Sequence, residues 1–223
     1  MAYTYLKGIN IGGWMNCFED LTDDFAAHVR TFITESDIDR IASWGADHIR
    51  LPFQNDILNE DTYALIERIR REVPGISLRT TLMVGFPTET DSNFEELCQY
   101  VKDMRFERMG AFAYCEEDST PAQRLYDDNV RPEVKQQRLD RLMRLQETIA
   151  AEFNKSLVGK QMTAIVDREE DDYYILRTQY DSPEVDTELL VRKDMNRRPQ
   201  IGCFYNVTID AYENFDLYGH INQ

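Results

Sequence analysis

The chain has 223 residues, 42% of them apolar, and its 25 Lys and Arg against 41 Asp and Glu give a formal net charge of -16. This apolar fraction is sufficient for a packed core and is not typical of global disorder. Nucleic-acid binding usually requires a basic face, so the acidic balance argues against nucleic acid and favours a basic protein partner. No apolar run approaches the ~20 residues of a membrane span, and the N-terminus has no signal pattern, so we expect a cytoplasmic protein.

The first 60 residues predict a strand, a helix and a second strand. Tyr5–Ile11 has the pattern of a short strand that enters a glycine turn. Thr34 is a candidate N-cap with Asp37 three residues later, which predicts a helix that ends at Gly45. The following segment, 47–53, predicts a strand stopped by Pro52.

Residues 62 to 153 continue the alternation of helices and strands. The pattern predicts helices at 62–72 and 92–104, the second with a Ser92 and Glu95 capping box, and strands at 76–85 and 109–114. Pro132 opens a long amphipathic helix. Four βα units predict parallel strands, and they amount to half of an eight-stranded TIM-type barrel.

After Val158–Gly159 the pattern changes to short strands separated by polar turns. The segments MTAIVDR, DYYILRTQY, ELLVR and FYNVTIDAYE predict four such strands. This spacing is typical of a small antiparallel, OB-like barrel. The fold class is therefore α/β, with an incomplete parallel βα barrel followed by an all-β barrel.

Residues 1–60 carry KGINIGGW followed by FITESDIDRIASWGADHIRLPF. This ordered set resembles the start of family-five glycoside hydrolases. The resemblance implies that Arg50 orients a nucleophilic carboxylate and that Trp14 faces a sugar ring. The alternative is that Arg50 pairs with a nearby acid and Trp14 fills the core. In that family the two catalytic carboxyl groups that hydrolysis needs come from later strands, one of them within an Asn-Glu-Pro motif. This chain has no Asn-Glu-Pro, so we expect both groups to be absent.

Residues from about 61 onward carry ISLRTTLMVGFPTETDSNFEEL, RPEVKQQRLDRLMRLQETIAAEFN and, near the end, DSPEVD and NFDLYGHI. They resemble the last part of radical-SAM methylthiotransferases, in the branch that modifies an aspartate of a small-subunit ribosomal protein. The resemblance implies a chimera with three segments: hydrolase-like 1–60, the end of a radical-SAM core at 61–157, and a TRAM domain at 158–223.

That family uses S-adenosylmethionine and [4Fe–4S] clusters held by cysteines. The four cysteines here, Cys17, Cys98, Cys115 and Cys203, are too far apart for a C-x-x-x-C-x-x-C loop. We therefore expect reduced, mostly buried thiols, no bound metal and no catalytic residues, so that this chain alone binds neither cofactor and is inactive.

Part of the S-adenosylmethionine cleft is implied by the resemblance. Arg79 would pair with the methionine carboxylate, and Thr81 and the turn Gly85-Phe86-Pro87 would face polar cofactor atoms. The alternative is a buried strand followed by a plain turn.

The TRAM segment is itself acidic. Residues 158–221 contain seven Lys or Arg and thirteen Asp or Glu, for a net charge of -6. Such a barrel would attract a basic ribosomal protein, and Arg177, Tyr180 and Asp181 are the predicted contacts. The alternative is that this segment is a solvated acidic loop. Unpaired edges of the open half-barrel also predict a homodimer or, as the alternative, poor order of residues 1–60. The alternative function is a β-glucanase-like fragment that binds or cleaves carbohydrate.

Overall fold

A computed structural model describes residues 8–10, 34–43, 48–50, 60–183, 185–195, 198–213 and 215–222. The described chain divides into two compact units, one up to Ile149 and one from Ala150 onward. Predictions that fall on Trp14, Cys17 and the turn after Ile11 lie outside the described residues. None of the helices in the described ranges is long and apolar enough to cross a membrane.

In its described residues the first unit contains a four-stranded parallel sheet whose strands follow chain order. They are β1 (Gly8–Asn10), β2 (His48–Arg50), β3 (Ser77–Val84) and β4 (Arg108–Ala113). The helices are α1 (Glu35–Ser43), α2 (Glu60–Glu72), α3 (Asp91–Met104), the short α4 (Pro121–Leu125) and α5 (Pro132–Leu157). The predicted alternation and the parallel pairing are confirmed here, whereas a half TIM barrel remains a prediction.

One face of β3 builds the core of this unit. Residues at alternate positions, Leu78, Leu82 and Val84, are essentially fully buried, and they belong to one apolar cluster with Phe94 of α3 and Leu142 of α5. Period-two alternation sends the intervening residues of the strand to the other face. That second face carries Arg79 and Thr81, which are half-buried.

The N-cap of helix α3 lies two residues earlier than the sequence predicts. Its N-cap is Thr90, whose Oγ1 accepts a hydrogen bond from Asn93 N at 3.2 Å, while Asn93 Oδ1 accepts from Thr90 N at 3.0 Å. The predicted Ser92 and Glu95 box is therefore wrong. Thr90 and Ser92 each have a polar residue three positions later, so the local sequence allows either of them to be the N-cap. The path of the chain after β3 places Thr90, not Ser92, next to the free amides of the first helical turn.

The second unit is a closed five-stranded barrel in the order β5-β6-β7-β9-β8. The strands are β5 (Gln161–Glu170), β6 (Tyr173–Thr178), β7 (Leu189–Arg192), β8 (Phe204–Glu213) and β9 (Asp216–Ile221). Its core includes Ala164, Leu176, Leu189, Val207 and Leu217. The barrel prediction is confirmed.

The prediction of an entirely antiparallel barrel is wrong for one pair of strands. β7 and β9 pair in parallel, with Leu189 opposite Leu217, and all other barrel pairs are antiparallel. β9, which the sequence did not single out as a strand, supplies this pairing. Closure requires a partner for both outer strands, so the C-terminal segment is recruited to the sheet.

Candidate functional site

The turn at the carboxyl end of β3 is built around a glycine. Gly85 has φ +72°, and a Cβ at that position would collide with Lys135 Cγ of α5. Phe86 packs edge-on against Tyr114, with ring centroids 5.2 Å apart, and Pro87 is buried. Ligands of open α/β sheets bind outside the carboxyl ends of the strands, so this turn lies where a cofactor is expected.

Arg138, a buried cation of α5, holds this turn in place. Arg138 Nη1 donates to Glu89 Oε1 at 2.6 Å and Nη2 donates to Asp91 Oδ1 at 2.7 Å, while the Gly85 N–H donates to the same Glu89 oxygen at 3.0 Å. Burial raises the pKa of Glu89, and the Gly85 amide and Arg138 offset part of that effect. The turn is therefore fixed in position before any ligand binds.

A second buried cation contacts the end of β4. Lys135 Nζ donates to Asp128 Oδ2 at 2.5 Å and to the Tyr114 carbonyl oxygen at 3.2 Å, and it lies 5.0 Å from the Tyr114 ring centroid. Because Lys135 also packs on Gly85, the ends of β3 and β4 are tied to the same helix.

Arginines occupy one level of three neighbouring strands. Arg50 of β2 is the register partner of Arg79 of β3, which in turn is opposite Arg108 of β4. Thr81 is opposite Gly110. The structure thus aligns Arg50 and Arg79, two site residues predicted from different resemblances, on adjacent strands about 4.8 Å apart.

The described thiols do not fit an iron–sulfur cluster. Cys98 is buried in the core of the first unit, where burial raises its pKa, Cys115 is exposed, and Cys203 belongs to the barrel unit. The expectation of mostly buried thiols is therefore wrong for Cys115, which directly follows the end of β4. Over the described ranges, no group of three or more His, Cys, Asp or Glu is arranged to hold a metal ion.

The predicted contacts of the barrel make internal interactions. Arg177 Nε donates to Asp167 Oδ2 at 2.8 Å, and the Tyr180 ring lies 5.5 Å from the ring of Phe153. Asp181 is 6% exposed and accepts a hydrogen bond from Thr178 Oγ1 at 2.5 Å. This segment is therefore ordered by its own contacts, and Arg177 is its most accessible charged side chain.

The barrel also has a cavity of about 380 Å³ that the sequence analysis missed. Tyr174, Val191 and Ile221 form its apolar part, and the exposed Arg192 and His220 line it as well. The signal in the sequence was the basic run RKDMNRR, which begins at Arg192, the last residue of β7.

The barrel matches a known domain family. Residues 158–221 match the family model of the TRAM domain, which covers the five strands described above and agrees with the predicted TRAM segment.

A larger part of the chain is similar to methylthiotransferases. It is 57% identical over 168 residues to ribosomal protein uS12 methylthiotransferase RimO of Parabacteroides distasonis, covering 75% of this chain and 38% of the relative. The corresponding values are 53% over 176 residues for RimO of Phocaeicola vulgatus, covering 79% and 40%, and 42% over 178 residues for RimO of Prosthecochloris aestuarii, covering 79% and 41%.

The chain spans about two fifths of the length of these curated relatives. None of the three is a glycoside hydrolase, so they give no support to the predicted hydrolase segment or to a chimera. Over about three quarters of its length the chain is therefore similar to part of the RimO methylthiotransferases, and its residues 158–221 match the TRAM domain family.

Proposed function

We propose that the chain binds a basic ribosomal protein through its TRAM domain, as a RimO-like protein. The relatives are named for their action on uS12, a ribosomal protein, and this name together with the TRAM match carries the proposal. The net charge of -6 in residues 158–221 supports a basic partner, because complementary charge accelerates encounter and excludes like-charged competitors.

Exposed carboxylates are concentrated at the β5–β6 hairpin. Glu169, Glu170, Asp171 and Asp172 follow one another and are all exposed. Arg168 pairs with Glu170 at 2.5 Å and Lys193 pairs with Glu169 at 2.8 Å, so Asp171 and Asp172 contribute most of the uncompensated charge. We propose that this hairpin, together with Arg177, Tyr180 and Asp181, contacts the ribosomal protein.

The test is capture of purified uS12 by the full chain, quantified by surface plasmon resonance. Glu170→Lys with Asp172→Lys should weaken binding several-fold, mainly by slowing association. Glu116→Lys with Glu117→Lys is the matched control, because both residues are exposed carboxylates of the first unit and the net charge changes equally. Equal losses for both pairs, or no capture of uS12 at all, would contradict the proposal.

We also propose that this chain alone does not catalyse methylthiolation. The family's clusters need sets of thiolates, and the cysteine spacing does not provide such a set. Anaerobic reconstitution with iron and sulfide should therefore yield no [4Fe–4S] absorption band. A stable cluster spectrum would refute this part of the proposal without affecting the binding of uS12.

Three finer predictions from the sequence remain part of this proposal. They are the segment boundaries 1–60, 61–157 and 158–223, a half TIM-type barrel in the first unit, and a cytoplasmic location. The carbohydrate alternative for residues 1–60 also stays a prediction. Turnover of a β-glucan that is abolished by Arg50→Ala would support it.

A further inference from the structure

The turn that follows β3 has the geometry of a type II turn. It consists of Phe86, Pro87, Thr88 and Glu89. The Glu89 N–H donates to the Phe86 carbonyl oxygen at 2.9 Å, and Thr88 has φ +75°. Proline at the second position and a positive φ at the third are the features of this turn type, and glycine is the residue that suits the third position. The β-branched Thr88 is therefore unfavourable where it stands.

The same four residues can also form a type I turn. That turn keeps Pro87 and the hydrogen bond between Glu89 and Phe86, but its third residue has a φ of about -90°, which threonine adopts readily. The two turns differ by a flip of the peptide between Pro87 and Thr88, which reverses the direction of the Thr88 N–H. The local sequence thus disfavours the conformation that is present, so a contact from elsewhere in the fold has to hold it.

The segment 126–131, which we call the strap, supplies this contact. It joins α4 to α5 without regular secondary structure, and Asn129 Oδ1 accepts a hydrogen bond from the Thr88 N–H at 3.1 Å. A flip of the Pro87–Thr88 peptide would turn this N–H away from Asn129 and break the bond. The position of the strap and the orientation of the peptide are therefore coupled.

Further contacts attach the strap beside the turn. The rings of Tyr126 and Phe86 pack edge-to-face with centroids 5.6 Å apart, and Asp128 Oδ2 accepts a hydrogen bond from Lys135 Nζ at 2.5 Å. Tyr126, Asp128 and Asn129 are nevertheless exposed. Exposed segments with few buried contacts open at a low cost in free energy. The strap can therefore detach while the helices at its two ends stay folded.

The base of the turn does not depend on the strap. Glu89 Oε1 accepts hydrogen bonds from the Gly85 N–H at 3.0 Å and from Arg138 Nη1 at 2.6 Å, and both donors lie outside the strap. Detachment of the strap therefore leaves the ends of the turn in place and releases its central peptide. The change is confined to one peptide with two defined orientations, which distinguishes it from local unfolding.

We infer that the Pro87–Thr88 peptide is a two-state switch at the carboxyl end of β3, and that docking of the strap sets it. With the strap docked, the turn is type II and Asn129 binds the Thr88 N–H. With the strap detached, the turn relaxes to type I, and the Pro87 carbonyl oxygen takes the place of the N–H on the strap side. Ligands of open α/β sheets bind at this end of the strands, so a ligand that offers a hydrogen-bond donor there favours the detached strap.

The state of the peptide is tested by NMR spectroscopy of the isotope-labelled full chain. The NOE between an amide proton and the Hα of the same residue is strong at positive φ, so the parent should show a strong signal at Thr88. Asn129→Ala should weaken this NOE because the peptide flips. The Glu89 amide should stay protected from hydrogen exchange, because both turn types keep its bond to Phe86. Asn129→Asp retains an acceptor oxygen and should retain the strong NOE.

The position of the strap is measured separately, by the initial rate of chymotrypsin cleavage after Tyr126. Asn129→Ala should raise this rate about two- to tenfold, which corresponds to the loss of one hydrogen bond. Thr88→Gly removes the unfavourable conformation of the docked state and should lower the rate about two- to fivefold. Thr88→Val keeps the β-branched shape and should leave the rate unchanged.

Asn206→Ala is the matched control, because it removes the same side chain from an exposed position of the barrel and should change neither the NOE nor the cleavage rate. The inference is overturned by a strong Thr88 NOE in Asn129→Ala, by loss of Glu89 protection together with the NOE, or by unchanged or faster cleavage of Thr88→Gly. Circular dichroism shows whether each variant is folded. Asn129→Ala should capture uS12 as the parent does, so failure of the switch and failure of the proposed function are distinguishable.

Discussion

Thr88, in the turn between β3 and α3, is held in a backbone conformation that is unfavourable for a threonine. It has φ +75°, a backbone region that β-branched residues rarely adopt, and its N–H donates to Asn129 Oδ1 at 3.1 Å. The neighbouring Gly85 has a positive φ without that cost. The turn between β3 and α3 therefore contains two residues with positive φ. Gly85 adopts this conformation without strain, whereas Thr88 is strained.

Replacing Thr88 by glycine should stabilise the protein. The left-handed conformation costs an L-residue about 1–2 kcal/mol, which glycine would not incur. The greater conformational freedom of glycine in the unfolded chain opposes this stabilisation by about 0.5–1 kcal/mol. We expect Thr88→Gly to raise the free energy of unfolding by about 0.5–1 kcal/mol in urea titrations. Thr148→Gly, in the exposed interior of α5, should instead lower it by up to about 1 kcal/mol. Destabilisation by both substitutions would contradict this account.

Asp216 couples the stability of the barrel to pH. Burial raises the pKa of its carboxyl group, the Glu188 amide that donates to it at 3.2 Å opposes this shift, and the Glu188 charge adds to it. A carboxyl group with a raised folded pKa favours folding while it is protonated. Its contribution is therefore complete below the ordinary pKa of 3.8 and is lost as pH rises through the folded value.

Asp216→Asn should thus stabilise the protein at pH 7 relative to the parent and have little effect at pH 3.5. The gain should stay below about 1 kcal/mol, because the side chain is only partly buried and asparagine keeps an acceptor for the Glu188 amide. Urea denaturation at both pH values measures the difference. A gain that is equal at both would show that the carboxylate charge is not responsible.

At the scale of elements, the cap of α3 is the clearest local determinant of where an element begins. The side chain of Thr90 accepts a hydrogen bond from the Asn93 amide, and the side chain of Asn93 accepts one from the Thr90 amide. Ser92 instead lies inside the helix and donates to Glu96 Oε1 at 3.4 Å. The capping pattern alone did not separate these positions, because both have a polar residue three positions later.

Thr90→Ala should lower the free energy of unfolding by about 1 kcal/mol, because an amide of the first turn loses its acceptor. Ser92→Ala should change it by less than about 0.5 kcal/mol, since Ser92 is exposed and caps nothing. Thermal or urea unfolding of the two variants provides the comparison. A larger loss of unfolding free energy for Ser92→Ala than for Thr90→Ala would indicate that Ser92 is the N-cap, as the sequence predicted.

At the scale of the whole molecule, the two units have separate cores and different edges. The barrel closes on itself, so none of its five strands has a free edge, whereas β4 is the last strand of the parallel sheet in the described part of the chain. Phe112 of β4 is 47% exposed. An unpaired strand with an exposed aromatic side chain is a template for pairing with another chain.

We therefore expect the protein to form a homodimer through the open edge of its parallel sheet. Static light scattering over a range of concentrations should give a mass near twice the 26.2 kDa of the chain. A monomer whose N-terminal strand is fully protected from hydrogen exchange would contradict this expectation. Because the barrel is closed and has no unpaired strand, we expect residues 158–221 not to contribute to the association.

The sequence by itself determined the alternation of strands and helices, the long helix from Pro132, the change to short strands after Gly159 and the similarity of about three quarters of the chain to methylthiotransferases. These features depend on neighbours within about twenty residues, where periodicity and capping are informative. Only the tertiary structure decided that β9 pairs in parallel with β7, that Asp181 is buried, and that Arg50, Arg79 and Arg108 share one level of the sheet. Each of these depends on the register between segments distant in the chain, which local pattern does not specify because it follows from closing the sheets around their cores.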